Sequence, residues 1–491
     1  MVRCSGPRNG RALANSCSIT SCPCLPTRWR NGYFAGACPM TSSSLRTFSA
    51  LRSPQTLRKS ASMQTSTWLR SKFMMLLSSA RFQSHCQRQG RRGRGAAGPV
   101  VHYFHQVDDP YSHLAVQKLP ALADRYAVTF RPHLVAPPEG PFRGDAQDFD
   151  TWAWRDAQAI AEGFEAAFTP ALMTPEPQAA EAVARALAHV LANDQEAKAF
   201  AEAAFELGTR LWAGAPLPPA PAGAAAAALR EGTTLRAQLG HYQGAMFYFE
   251  GEWYWGVDRL RVLEARLAAE GLDRLGGAPL VPEPTAESTT HAGAVSLEYF
   301  PSLRSPYTAV GHVRVCDLLT RTGVTLKLRP VMPMMMRGVP NPRPKQRYII
   351  TDAGREGRWY GAPLKRIVDP FGAPVLRAFA LYPGAEALGA GLQFVSAYLR
   401  AAWQEGIDIS GDRGLKWVAA EAGLDWTALR AEAKHHDWEQ ILEDNLQALK
   451  GEALWGVPSF RVSDGALPGA YACWGQDRIW RVETEIARRN R

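Results

Sequence analysis

Residues 299–308 read Tyr-Phe-Pro-Ser-Leu-Arg-Ser-Pro-Tyr-Thr, and residues 103–112 read Tyr-Phe-His-Gln-Val-Asp-Asp-Pro-Tyr-Ser. The two stretches lie 196 residues apart, and that offset holds without gaps across 103–157 and 299–353. Leu122 falls on Leu318, Arg125 on Arg321, Val128-Thr129 on Val324-Thr325, Val135 on Val331 and Pro137 on Pro333. Asp156-Ala157 falls on Asp352-Ala353, and Trp152 on Tyr348. Agreement returns near the ends, where Trp255-Gly-Val-Asp-Arg259 matches Trp474-Gly-Gln-Asp-Arg478 at an offset of 219. One domain is therefore expected twice, at 99–270 and 294–491, with 23 extra residues in the middle of the second copy. Between the copies, 271–293 is rich in Gly, Pro, Thr and Glu and reads as a linker.

Each copy opens with a short apolar run, Val100–Phe104 or Val295–Phe300, and a turn closed by Pro-Tyr. An amphipathic helix is expected next, at about 110–126 and 306–322, then a second strand at Val128–Val135 and Val324–Val331. That is a βαβ unit. Helical spacing then runs through roughly 147–240 and 343–450. Each copy ends in two apolar runs around a turn, followed by a helix starting at Gly256 or Gly475. This order gives an α/β fold class of two tandem thioredoxin-like domains, each with a helical insertion.

The chain of 491 residues carries a net charge of +10, which an average would assign to nucleic-acid binding. Dissection removes that reading. Of the 56 basic residues, 16 lie in 1–98 beside no Asp or Glu, so this segment carries +16 and the rest −6. Residues 1–98 also hold six of the eight cysteines and show no sustained apolar period, so they are expected not to fold. Arg- and Ser-rich, acid-poor composition fits a transit peptide to a mitochondrion or plastid, and an over-extended start is the equal alternative, with a cytoplasmic body. Cys22-Pro-Cys24 has no second pair at zinc spacing, so no metal site is expected. No apolar run reaches the ~18–20 residues that span a bilayer, so neither membrane nor nucleic acid is an expected partner.

In a thioredoxin-like fold, chemistry sits where the first strand meets the first helix, because unpaired N–H groups and the helix dipole favour an anion there. Redox members place Cys-x-x-Cys in this slot. Here it holds Asp109-Pro-Tyr-Ser112 and Ser305-Pro-Tyr-Thr308, so dithiol–disulfide exchange lacks its sulfurs.

Several motifs of the second copy occur together. Ser305-Pro-Tyr, Lys345-x-x-Tyr348-x-x-x-Asp352, Ala402-Trp-Gln-Glu-Gly-Ile-Asp-Ile409, Gly456-Val-Pro-Ser-Phe460 and Gly475-Gln-Asp-Arg478 follow one another over about 295–482. In this it resembles the 2-hydroxychromene-2-carboxylate isomerases and kappa-class glutathione transferases of the DsbA-like superfamily. The resemblance implies glutathione as cofactor and a small electrophilic, aromatic, carboxylate-bearing substrate for isomerisation or conjugation. It implies that Ser305 stabilises the thiolate, that Pro458 is cis and frees the Val457 backbone for the cysteinyl part, and that Asp477 with Gln476 meets the γ-glutamyl ammonium. Asn341 stands in for a loop asparagine, although Gly338-Val-Pro-Asn-Pro342 departs from the family's Gly-Asn-x-Pro. Alternatives are transferase or peroxidase chemistry, a non-catalytic scaffold, and the disfavoured disulfide exchange.

The first copy fails the same comparison. Asp109 replaces the serine, where a carboxylate would repel a thiolate, and Met246 is taken to replace the cis-proline. It is read as a degenerate domain that packs against the second, with a homodimer as a further expectation and Asp109 as a base in the competing reading. Val331-Met-Pro-Met-Met-Met336 reads as packing or as the lining of an apolar pocket. Cys473 reads as a buried apolar residue, His102, His105 and His113 lack metal spacing, and His435-His436 reads as a solvated helix face. Lys345 and Arg347 read as carboxylate attractors or as surface charges.

Overall fold

The computed structural model describes residues 67–94, 98–142, 146–194, 196–221, 223, 225–286, 289–290, 292–465 and 469–491. Cys22 and Cys24 lie outside them. For 67–94 the expectation of an unfolded leader is corrected. These residues form two helices, α1 over 67–78 and α2, Ala80–Arg92, with Ser79 between them accepting the Phe82 N–H as the cap of α2. They are held by partners far along the chain. Arg70 pairs with Asp369 at 2.9 Å, Arg94 with Glu250 at 2.6 Å, and Leu77 enters the core of the second half. Ser78 lies so close to Gly354 that a β-carbon there would stand 2.4 Å from the Ser78 carbonyl oxygen. Trp68, Leu69, Phe73 and Leu76 stay exposed, so the inward contacts are too sparse to set a readable apolar period.

Two four-stranded sheets follow. In the first half, β1 (Val100–His105) runs parallel to β2 (Thr129–Leu134) and antiparallel to β3 (Met246–Phe249), which pairs with β4 (Glu252–Trp255). In the second, β5 (Ser296–Phe300) runs parallel to β6 (Thr325–Leu328) and antiparallel to β7 (Ser459–Ser463), which pairs with β8 (Tyr471–Trp474). The strand orders, β2-β1-β3-β4 and β6-β5-β7-β8, match. The intervening helices are expected from the Ala-rich periodic stretches, but one breaks. Helix α3 (Pro110–Val116) stops before α4 (Leu119–Arg125), whereas α10 (Pro306–Thr322) is continuous. Pro120 lacks an N–H and crowds the preceding turn, while Cys316 at the matching position does neither.

Registers correct two alignments. Tyr103 faces Phe247 as Tyr299 faces Phe460, an offset of 213 for β3 and β7; Tyr254 and Cys473 face these same residues at an offset of 219. The 23 extra residues therefore divide into 17 in the helical block and 6 in the β7–β8 turn. The first block holds α5 (Ala146–Ala161), α6 (Pro177–Asn193), α7 (Ala197–Trp212) and α8 (Ala226–Gln238). The second, after α9 (Leu260–Ala269), holds six helices from α11 (Arg343–Trp359) to α16 (Trp438–Lys450). Phe104 faces Met246 as Phe300 faces Ser459, so the counterpart of Pro458 is Ala245, at φ +53°, and not Met246.

The halves exchange arginines. Arg478, just before α17 (Ile479–Arg489), reaches Asp156 at 2.8 Å and Asp258 at 2.7 Å. Arg259, just before α9, reaches Asp352 at 2.8 Å and Asp477 at 2.7 Å. Each Pro-Tyr tyrosine supports the arrangement, Tyr111 donating to Asp156 at 2.6 Å and Tyr307 to Asp352 at 2.8 Å. Burial pushes the Asp352 carboxyl up, but Arg259 and Arg355 overcome it and hold the group below the usual carboxylate range. Several kcal/mol of desolvation per ion are offset here by the forked pairing and the added tyrosine hydrogen bonds. Asp156, Asp352 and the two Asp-Arg pairs, which recur in the sequence, together join the halves.

Candidate functional site

Ser305 caps α10, with extended backbone that frees its side chain to turn back on the helix. Its Oγ accepts the Thr308 N–H at 3.1 Å and donates to the Val457 carbonyl at 3.3 Å. The Val457–Pro458 peptide is cis. The Ser305 proton is thus held by a long, single hydrogen bond on the rim of a cavity of about 230 Å³ between the two halves. Val457, Asn341, Gln476 and Asp477 line the same cavity; Pro458 is not among the lining residues.

The contacts of these groups depart from a free binding set. Asp477 already receives Arg259 at 2.7 Å and the Gln476 amide, with its side chain 16% exposed. Gln476 also accepts from Arg314 at 2.8 Å. The Val457 carbonyl accepts from Ser305, whereas the resemblance implies a Val457 backbone free for the ligand. Asn341 has its buried Oδ1 without a partner among the described residues. Lys345 lines the cavity too, and burial pushes its pKa down. Arg347 lines a second cavity of about 530 Å³ beside α2, with Cys86 and Arg358, and the two cavities share His241 and Tyr348 as wall residues. Of the methionine run, Met334 and Met335 reach the Ser305 cavity, whereas Met332 and Met336 pack on the core.

One side of the wall is aromatic, and part of it comes from the first half. Trp152 stands 4.8 Å from Trp474, and Trp455 another 4.8 Å from Trp474. Tyr242, Trp255 and Arg259 complete this side. Residues 241–245 and 454–458 are matching loops before β3 and β7, and both reach the cavity. Arg259 was visible in the repeated Asp-Arg motif; His241, in the same wall, had no sequence signal.

The matching slot of the first half is filled. Asp109 caps α3, accepting Tyr111 N–H at 3.3 Å, Ser112 N–H at 3.0 Å and Ser112 Oγ–H at 2.7 Å. Burial raises its pKa to about 6 against those hydrogen bonds. Gly244 packs against it: a β-carbon there would meet Asp109 Oδ2 at 3.0 Å.

Among the described residues, no cysteine lines the Ser305 cavity. Cys473 is buried on β8, which pushes its thiol up to about 12, and Cys316 sits 3.6 Å from His312 within α10. His105 and His113 are core histidines that burial depresses to about 3 and about 4. Among the described residues no cluster of three His, Cys, Asp or Glu side chains could hold a metal, and no helix is long and apolar enough to cross a membrane.

Residues 296–487 match the family model of the DSBA-like thioredoxin domain. The C-terminal region has a DsbA-like thioredoxin fold. Among solved structures, a 2-hydroxychromene-2-carboxylate isomerase is 21% identical, covering 39% of this chain and 95% of that one with a TM-score of 0.33. The cytosolic disulfide reductase DsbM from Pseudomonas aeruginosa is also 21% identical, covering 40% and 98% with a TM-score of 0.31. No curated protein matches the chain.

Proposed function

We propose that the chain is a tandem duplication whose second repeat binds glutathione at Ser305 and acts on a small aromatic electrophile, as an isomerase or a conjugating transferase. The observation that carries this reading is convergence. Ser305, Asn341, Val457, Gln476 and Asp477 come from four separate segments and line one cavity. The donor set suits the tripeptide, which brings one ammonium, two carboxylates and a thiol. Asp477 fits the ammonium, Arg259 the α-carboxylate beside it, and Lys345 the glycyl carboxylate. The paired Arg259 and Asp477 would thus hold the two charges of one amino-acid end, one from each repeat. The unpartnered Asn341 Oδ1 offers a backbone N–H of the ligand an acceptor.

Glutathione, when bound, supplies a nucleophilic sulfur that can leave again. Ser305 favours the thiolate by turning its O–H from the Val457 carbonyl to the sulfur, beside the first N–H groups of α10. Disulfide exchange finds no thiol among the lining residues. Calorimetric titration should give millimolar or tighter binding of glutathione. Ser305→Ala should leave about tenfold less bound thiolate by ultraviolet absorbance for each unit of lost pKa depression. Asp477→Ala should weaken binding itself. If the intact chain does not bind glutathione at millimolar concentration, a non-catalytic scaffold takes the place of this reading.

A further inference from the structure

Helix α1 carries an apolar face that the fold leaves bare. Trp68, Leu69, Phe73 and Leu76 are each 54–60% exposed, so four of the ten large apolar side chains exposed among the described residues sit on one short helix. Exposed apolar residues scattered singly need no explanation, but a cluster on one element marks a surface that something covers. Helical spacing makes the cluster a face. At about 100° per residue the four fall within a sector of about 140°. Ser71, Met74, Leu77 and Ser78 lie outside that sector and face the second half, Leu77 in its core and Ser71 Oγ accepting the Asp369 N–H at 2.9 Å.

Charge indicates what kind of surface suits this face. Residues 67–94 hold seven Lys and Arg and no Asp or Glu. Three of the seven turn to carboxylates of the body: Arg70 to Asp369, Arg91 to Glu270 and Arg94 to Glu250. The other four, Lys72, Arg81, Arg88 and Arg92, are exposed and have no ion-pair partner among the described residues. Lys72 lies inside the apolar sector, its Nζ 5.7 Å from the centre of the Trp68 ring. Arg81, Arg88 and Arg92 recur at helical spacing as one stripe along α2. The stripe is opposite Gly90 and Cys86, which pack on the backbone of Glu250 and Gly251.

Aromatic and aliphatic side chains set among unpaired cations match a bilayer surface, which offers apolar depth and negative headgroups together. A second copy of the same face matches poorly, because it would set cation against cation. No described helix is long and apolar enough to cross a membrane, and a helix lying in the interface plane does not need to be. We propose that α1 and α2 form a docking surface for an anionic lipid bilayer. Trp68, Leu69, Phe73 and Leu76 enter the boundary between headgroups and acyl chains, and the four unpaired cations meet lipid phosphates. The ion pairs to Asp369 and Glu250 hold the helices on the body, so docking brings both halves to the surface. This goes beyond the glutathione reading and does not depend on it.

The test is co-sedimentation of the intact chain with vesicles of phosphatidylcholine alone, or of equal parts phosphatidylcholine and phosphatidylglycerol. Sedimentation velocity of the lipid-free chain runs alongside. Wild type should bind the mixed vesicles, bind the neutral ones about tenfold more weakly or less, and be released by salt. Phe73→Ser with Leu76→Ser should weaken binding to mixed vesicles by about tenfold or more. The thermal melt should stay unchanged, because both side chains are exposed. Arg81→Gln with Arg88→Gln should weaken it by about fivefold per residue and leave binding to neutral vesicles as it was. A wild type that ignores mixed vesicles, or binds neutral ones equally well, overturns the proposal. So does binding that either pair of substitutions leaves intact, which would place the contact elsewhere in the chain. A dimer that Phe73→Ser with Leu76→Ser dissociates, without vesicle binding, gives the face to a second copy instead.

Discussion

Asp109 and Ser305 occupy the same place in two matching frames: each caps a helix, precedes Pro-Tyr and faces the loop before the third strand of its sheet. Ser305 makes one long hydrogen bond to that loop and borders a cavity. Asp109 folds back on its own helix through three hydrogen bonds, while Ser112 Oγ accepts the Ala245 N–H at 2.9 Å and closes the loop over it. The first slot satisfies itself; the second leaves room for a ligand. The halves therefore differ in what fills the slot, while the arginine exchange between them stays nearly symmetric.

The symmetry can be broken first at the arginines. Arg478→Met leaves Asp156 and Asp258 buried without a cation and should cost about 3–5 kcal/mol in denaturant unfolding. Arg259→Met should cost less, because Asp352 keeps Arg355 at 2.6 Å and Asp477 is partly exposed. Equal losses would show that the exchange is symmetric in energy as well as in pattern.

Asp109 offers a smaller effect with a definite sign. Its folded value of about 6 lies above the ordinary 3.8, so the folded chain holds that proton more tightly than the unfolded chain. The resulting stability is fully present below about pH 4 and is lost as the pH rises through 6, a change of about 2–3 kcal/mol. Asp109→Asn, still a good helix cap, should remove that part of the slope between pH 4 and 7. An unchanged slope would mean the carboxylate is already ionised in its slot. The smallest effect is expected from Asp109→Ser. Restoring the serine should leave calorimetric stoichiometry at one glutathione per chain, because Gly244 and the Ala245 loop still close over the position. A second site would place the whole difference between the halves in one side chain.

Much of the fold is legible because repetition doubles each signal. Strands at 100 and 296, the Pro-Tyr turns and the closing hairpins all fall where alternation and turn residues put them. Misplacements arise where the sequence carries no local signal. An offset measured only at Trp255 and Trp474 cannot show that the insertion is split, and residues 244–247 hold no proline that would tell Ala245 from Met246. The helices over 67–92 escaped because their inward contacts are few and their ion pairs reach Glu250 and Asp369.

The sequence by itself determined the order of elements in two matching α/β frames, a serine and not a cysteine at the head of α10, and a net basic charge confined to the first 98 residues. These follow from local chemistry: periodicity, caps and composition. Only the tertiary structure decided that Asp477 is shared with Arg259, that the Asp109 slot is closed, and that His241 and Trp152 join Ser305 around one cavity. Those facts depend on which side chains meet across hundreds of residues, and burial sets the charge, tautomer and partners of each only after they have met.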